Sequence, residues 1–141
     1  MIAQPHFKTL VVEVEGRVGR VTMNRPEKLN ALSRQLMSEI VELGAWLKLR
    51  EDIRVVILSG AGRSFCAGFD LNDFSSASDG ESPRQAADLG RLATNALTDV
   101  PQLTIAAVHG HCVGGGVVFV AACDLRVATT ETTFVIPEVD L

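Results

Sequence analysis

The sequence is poor in several features, and each shortage excludes something. Its three cysteines (Cys66, Cys112 and Cys123) are an odd number with no CxxC pair. That argues against a disulfide framework or a thiolate zinc site and fits reduced thiols in a cytoplasmic protein. Basic residues do not dominate: Lys+Arg 13 stands against Asp+Glu 17, a formal charge of −4. A basic face for gripping a phosphate backbone is therefore not expected, and a nucleic acid is not an expected partner. The first ten residues include Pro5, His6 and Lys8 and lack the apolar run of a secretory signal. Charged residues reach only 21% against 47% hydrophobic, an ordinary globular balance and not that of a disordered chain. At 141 residues the expectation is a single domain, residues 1–141, large enough to bury about two-thirds of its unfolded surface.

Long hydrophobic runs are also scarce, with one exception. Residues 100–123 contain no Asp, Glu, Lys or Arg, a length that could cross a bilayer. Pro101, Gln102, His109, His111 and four glycines interrupt it. It reads as a buried strand over 103–108, a glycine turn and a buried helix over 117–122, and not as a membrane span.

Elsewhere, residues 9–15 alternate with the period of a strand, Gly16 offers a turn, and residues 18–23 make a second strand, together a hairpin. Asn24-Arg25-Pro26 breaks the pattern. From Ser33 the positions Leu36, Ile40, Leu43 and Leu47 form a helical stripe, with Ser33 or Asn30 as its cap. Residues 53–58 read as a strand covered on both faces, and 59–64 as a loop. Residues 75–84 (SSASDGESPR) are small and polar and read as a mobile loop. Leu89, Leu92, Ala93, Ala96 and Leu97 form a second helical stripe, and a further strand falls near 125–129. Two strands followed by a helix, again and again, imply an α/β fold of stacked ββα turns.

Familiar nucleotide and hydrolase signatures are missing: there is no GxxxxGK[ST], no GxGxxG with an acidic residue at the right distance, and no GxSxG. Two glycine-rich turns follow apolar strands instead, one over residues 60–71 and one over 109–116. Two readings fit them. The glycines either only permit close packing, or they bring a substrate against unpartnered N–H groups at the start of a helix. Two such N–H groups from separate turns would form an oxyanion hole for a developing enolate.

Four blocks decide between the readings. Asn24-Arg25-Pro26-Glu27-Lys28-Leu29-Asn30-Ala31-Leu32, Phe65-Cys66-Ala67-Gly68-Phe69-Asp70-Leu71, His109-Gly110-His111-Cys112-Val113-Gly114-Gly115-Gly116 and Ala122-Cys123-Asp124, in this order, resemble the crotonase (enoyl-CoA hydratase/isomerase) family. The resemblance implies a spiral of ββα turns that takes acyl-CoA thioesters, with the N–H groups of Phe69 and Gly115 as the oxyanion hole. It implies no cofactor beyond the coenzyme A of the substrate, and trimers or hexamers in the full-length form.

The family's two catalytic carboxylates carry over unequally. One position corresponds to Val118, which is apolar; the other corresponds to Glu138, after Pro137. Taken alone, Glu138 reads equally as a solvated loop carboxylate. Hydration calls on two carboxylates, whereas moving a double bond needs one base that removes and returns a proton. The resemblance therefore implies a 3-enoyl-CoA to 2-enoyl-CoA isomerase or another enolate chemistry of the family, with a hydratase or a non-catalytic CoA-binding or assembly module as alternatives. Lys28 reads either as a contact to a CoA phosphate or as a plain surface lysine. The main chain from Ala67 through Gly68, Phe69 and Asp70 to Leu71, with Gly114 and Gly115, is implied as the substrate cradle, while Asp70 itself reads as a turn-fixing side chain. Phe69, Phe74 and the 75–84 loop are expected to line the acyl end and to set chain-length preference. His109 and His111 lack a third ligand, so no metal is expected. Cys66 and Cys112 read as small turn residues, not nucleophiles, and Asp124 as a cap or a buried hydrogen-bond partner. The resemblance also implies C-terminal helices beyond Leu141, so the chain is expected to be a fragment or to be completed by a partner.

Overall fold

A computed structural model of the chain describes residues 2–75 and 83–140. Strands β1 (Leu10–Glu15) and β2 (Val18–Met23) form the expected hairpin, with Gly16 at φ +59° in its turn. Helix α1 (Arg34–Lys48) follows, then β3 (Val55–Gly60), α2 (Leu71–Ser75), α3 (Pro83–Thr98), β4 (Leu103–Val108), β5 (His111–Val113), α4 (Gly115–Ala122), β6 (Leu125–Ala128) and β7 (Thr133–Val135). A 3-10 turn over Pro137–Asp140 ends the described chain.

The larger sheet has the order β1-β2-β3-β4-β6, antiparallel only at β1–β2 and parallel thereafter. A second, parallel layer runs alongside it. It consists of β5 paired with β7, extended by single bridges Cys66↔Cys112 and Leu32↔Phe69. Each of β2, β3, β4 and β6 in the large sheet is thus followed by a short extended segment in the second layer, whereas β1 pairs only with β2.

The Ser33 side chain accepts a hydrogen bond from the Leu36 N–H at 3.1 Å, so Ser33 and not Asn30 caps α1. The expected stripe Leu36, Ile40, Leu43 and Leu47 is buried, against a core that includes Val21, Met23, Val56 and Leu58. A methyl group on Gly44 would sit 2.9 Å from the Ala96 Cβ; the bare glycine lets α1 and α3 pack closely.

Three expectations change. Strand β3 alternates between buried Val56 and Leu58 and half-buried Val55 and Ile57, so it is not fully covered on both faces. Of the expected 75–84 loop, Ser75 closes α2 and residues from Pro83 belong to α3; residues 76–82 lie outside the described residues. Asp124 is exposed, not buried, although its carboxylate accepts hydrogen bonds from the N–H and hydroxyl of buried Thr104. The charge-free stretch becomes β4, β5 and α4, and no helix among the described residues is long and apolar enough to cross a membrane.

Candidate active site

Backbone pairing zips three of the sequence blocks together. The Ala67 N–H donates to the Leu29 carbonyl at 3.0 Å, the Leu32 N–H to the Gly68 carbonyl at 2.7 Å, and the Asp70 N–H to the Leu32 carbonyl at 3.1 Å. On the other side, the Phe65 N–H donates to the His109 carbonyl, the Cys66 N–H to the His111 carbonyl and the Val113 N–H to the Cys66 carbonyl. The two glycine turns, separate in sequence, are therefore neighbours in one layer.

Behind this frame sits Asn30, fully buried and at φ +55°. Its amide donates to the carbonyls of Ala61 and Ser64, and its oxygen accepts from the Arg25 N–H. Asp70 completes the support. Its carboxylate accepts from the Arg25 guanidinium at 2.9 Å and from the Asp73 N–H at 3.2 Å. Burial tends to raise the Asp70 pKa, but the Arg25 ion pair and these hydrogen bonds outweigh it and hold it below the ordinary value. Asp70 fixes its own turn, as expected, and also ties that turn to the first block. Nothing in the sequence marks Asn30 as this hub, since the two carbonyls it holds, of Ala61 and Ser64, are distant along the chain.

Two N–H groups stand outside this pairing, those of Phe69 and Gly115. In the parallel bridge, Leu32 uses the Gly68 carbonyl and the Asp70 N–H, so the Phe69 N–H between them is directed away from it. Gly115 opens α4, where the first N–H groups have no intrahelical acceptor. Neither N–H has an acceptor among the described residues. The Phe69 ring packs over Gly115: a methyl group there would sit 3.5 Å from Phe69 Cε2 and 2.8 Å from Leu32 Cδ1. Gly116 is pressed against Cys66 in the same way, with a methyl group reaching 2.8 Å from the Cys66 Cβ.

Glu138 is brought to the same place by the second layer. The Gly114 N–H donates to the Val135 carbonyl at 2.8 Å, which holds β7 alongside β5. The 3-10 turn that follows lays the Glu138 carboxylate against Gly114, where a methyl group would sit 2.6 Å from Oε1. A cavity of about 440 Å³ holds Glu138, Gly114, Gly115, Val118 and Phe69 together. A second cavity of about 350 Å³, between α3 and α4, shares Phe69, Gly115 and Val118 with it. Both volumes are in the range of small-molecule sites. A third hollow of about 260 Å³ is lined by Phe69, Leu71, Phe74, Ala86 and Ala87.

Other candidate residues are placed as follows. Lys28 is exposed on a 3-10 turn, Pro26–Lys28, and lines none of these three cavities. His109 Nε2 donates to the Gly62 carbonyl at 2.6 Å, and His111 Nδ1 pairs with the Thr133 hydroxyl at 2.9 Å. No group of three His, Cys, Asp or Glu side chains among the described residues could hold a metal ion. All three cysteines are buried and free. Burial pushes the Cys66 thiol up to about 12 and the Cys112 thiol up to about 11, so both are protonated at neutral pH and poor nucleophiles.

Comparisons with known proteins agree with this layout. The family model described as enoyl-CoA hydratase/isomerase matches residues 13–141. The peroxisomal Delta(3,5)-Delta(2,4)-dienoyl-CoA isomerase of Arabidopsis thaliana is 38% identical, the match covering 96% of this chain and 54% of that protein. The mitochondrial enzyme of the same name from Mus musculus is 38% identical over 93% of this chain and 43% of its own length. An enoyl-CoA hydratase subunit I from Geobacillus kaustophilus superposes with a TM-score of 0.81 at 36% identity, covering 95% of this chain and 51% of that one. The chain thus spans about half the length of the curated relatives it matches. The peroxisomal and mitochondrial names among them give no support to the cytoplasmic expectation.

Proposed function

The chain belongs to the enoyl-CoA hydratase/isomerase family, and on that premise we propose that it acts on acyl-CoA thioesters through an enolate held by two main-chain N–H groups, with Glu138 as its single base. The observation that carries this reading is one cavity containing Glu138, the start of α4 at Gly115, and Phe69, with apolar Val118 where the family's other carboxylate would stand. One carboxylate beside an oxyanion hole suits transfer of a double bond better than addition of water.

The step balances with these groups alone. Glu138 removes a proton from the α-carbon of a 3-enoyl thioester. The C–H electron pair forms the α-carbon to carbonyl-carbon double bond, and the carbonyl π pair moves onto oxygen. The Phe69 and Gly115 N–H groups receive that oxyanion, each such donor lowering the barrier by about 2.7–4 kcal/mol. The enolate then collapses: its oxygen re-forms the carbonyl, the α,β double bond forms, and the former β,γ pair takes the proton from Glu138 at the γ-carbon. The product is the conjugated 2-enoyl thioester. No cofactor takes part, coenzyme A being part of the substrate.

Substrate binding is assigned to the main chain from Ala67 to Leu71 and to Gly114 and Gly115, with Lys28 at a CoA phosphate. Support for Lys28 is local: its turn is tied to the cradle by the bond from the Ala67 N–H to the Leu29 carbonyl. Association into trimers or hexamers belongs to the full-length form in this reading.

A second reading rests on a different observation. Leu125, Val127, Phe134, Val135, Ile136 and Val139 are all large, apolar and exposed at one end of the chain. Such a surface fits association with further polypeptide, the property of an assembly module that keeps the CoA-binding fold. Absorbance of the conjugated enoyl thioester separates the readings. A rise with 3-enoyl-CoA establishes the isomerase, and a fall with 2-enoyl-CoA establishes a hydratase. Binding of acyl-CoA without either change leaves the module or another acyl-CoA chemistry of the family.

A further inference from the structure

The Phe69 ring is wedged between two glycines on different helices. Its Cε2 and Cδ2 edge faces Gly115 at the start of α4, and its Cζ and Cε1 edge faces Gly90 in the middle of α3. Phe69 lines all three apolar cavities of this end of the molecule and, with Gly115 and Val118, borders both the compartment holding Glu138 and the one between α3 and α4. It is held there by an edge-to-face contact with Phe74, with centroids 5.7 Å apart and an interplanar angle of 84°. Its main chain is pinned independently by the hydrogen bonds on either side, to Leu32.

We propose that Gly90, acting with the Phe69 ring, sets the length of acyl chain that this site accepts, by keeping the compartment between α3 and α4 open to the tail of the thioester. Glycine costs helix stability wherever it stands inside a helix, and no backbone need explains this one, since Gly90 is not among the glycines with positive φ. Nor is it squeezed by a neighbour. A methyl group there would sit 3.4 Å from Phe69 Cζ, 3.5 Å from Cε1 and 3.9 Å from Met37 Sδ, all ordinary contact distances. What the missing side chain leaves is space in a cavity whose remaining lining includes Met37, Ala87, Gly115 and Phe119. A side chain at position 90 would grow into that space, while the Phe69 N–H stays where Leu32 fixes it. The loss would therefore fall on long tails and spare short ones.

This inference rests on the acyl-CoA reading, and the test separates the two. Affinities of butyryl-CoA, octanoyl-CoA and dodecanoyl-CoA are measured by calorimetry on the 141-residue chain and on Gly90→Ala and Gly90→Leu. The expected result is that Gly90→Leu weakens dodecanoyl-CoA by about tenfold or more, the scale of a methylene mismatch in an apolar pocket, and leaves butyryl-CoA unchanged. Gly90→Ala falls between them, and it serves on its own should the leucine variant not fold. An equal loss at every chain length, or none at any, overturns the role of Gly90 while leaving the acyl-CoA reading intact. Failure of the unsubstituted chain to bind any of the three overturns that reading, and this inference with it.

Discussion

The carboxylate of Glu138 lies against the Cα of Gly114, so close that a methyl group on the glycine would come within 2.6 Å of Oε1. Gly114 also stands at φ +52° and ψ −114°, a conformation that a side chain resists. Gly114→Ala should therefore do two things. It should cost about 1–3 kcal/mol of stability through backbone strain. It should also displace Glu138, and a misplacement of about 1 Å in a reacting group lowers turnover by about 100-fold. Urea unfolding and the enoyl-thioester assay read the two effects separately. Unchanged turnover in Gly114→Ala would show that the contact has no part in the chemistry.

Glu138→Gln keeps the shape of the side chain and removes its ability to take a proton. Turnover of 3-enoyl-CoA should fall by about 10²–10⁴, the usual contribution of a positioned base, while the affinity for acyl-CoA persists. If turnover survives the substitution, the base lies elsewhere.

Val118 is half-exposed and lines both large cavities beside Gly115. Val118→Glu would place a second carboxylate in the compartment of Glu138 without burying a charge in the core. Hydration of 2-enoyl-CoA should then appear or increase, seen as loss of the conjugated absorbance. A variant that folds and binds acyl-CoA yet gains no hydration would mean that more than this one position separates the two chemistries.

The large sheet and α1 were legible in the sequence because their signals are periodic and long. Leu36, Ile40, Leu43 and Leu47 repeat at the helical interval and are all buried. The second layer carries no such signal. Its members are bridges of one residue, Leu32↔Phe69 and Cys66↔Cys112, and two strands of three residues each; both β5 and β7 escaped the period-two reading. Yet this layer builds the candidate site, since it joins the two glycine turns and brings Glu138 against Gly114. The glycine turns were visible as composition, but their use was not, because a run of glycines does not say which neighbour presses on each. Only the family resemblance picked out Glu138, an exposed carboxylate in a short turn. Asn30 could not be found at all from sequence, its three hydrogen-bond partners being set by the fold.

Glu39 supplies a prediction about acid stability. It projects from α1 into the core and is 4% exposed. Its carboxylate accepts hydrogen bonds from the N–H groups of Lys8 and Thr9, from the Thr9 hydroxyl and from the Gln35 amide, tying the start of β1 to α1. Burial by itself raises the pKa, but these bonds together outweigh it and hold the group below its ordinary value of 4.5. A carboxylate depressed in the folded state binds fewer protons there than in the unfolded chain. Its contribution is therefore complete above the ordinary value and is lost as the pH falls through 4.5 to the lowered folded value. Glu39→Gln removes the charge and turns a donor toward donors, which should cost about 1–3 kcal/mol at neutral pH, the penalty of buried polar groups left unpaired. The deficit should shrink as both proteins are acidified through that window, because the native carboxylate loses its advantage there. Chemical denaturation of the two proteins at neutral pH and at successive acidic steps measures this directly. A deficit that stays constant down the whole series would show that Glu39 acts through packing alone and not through its charge.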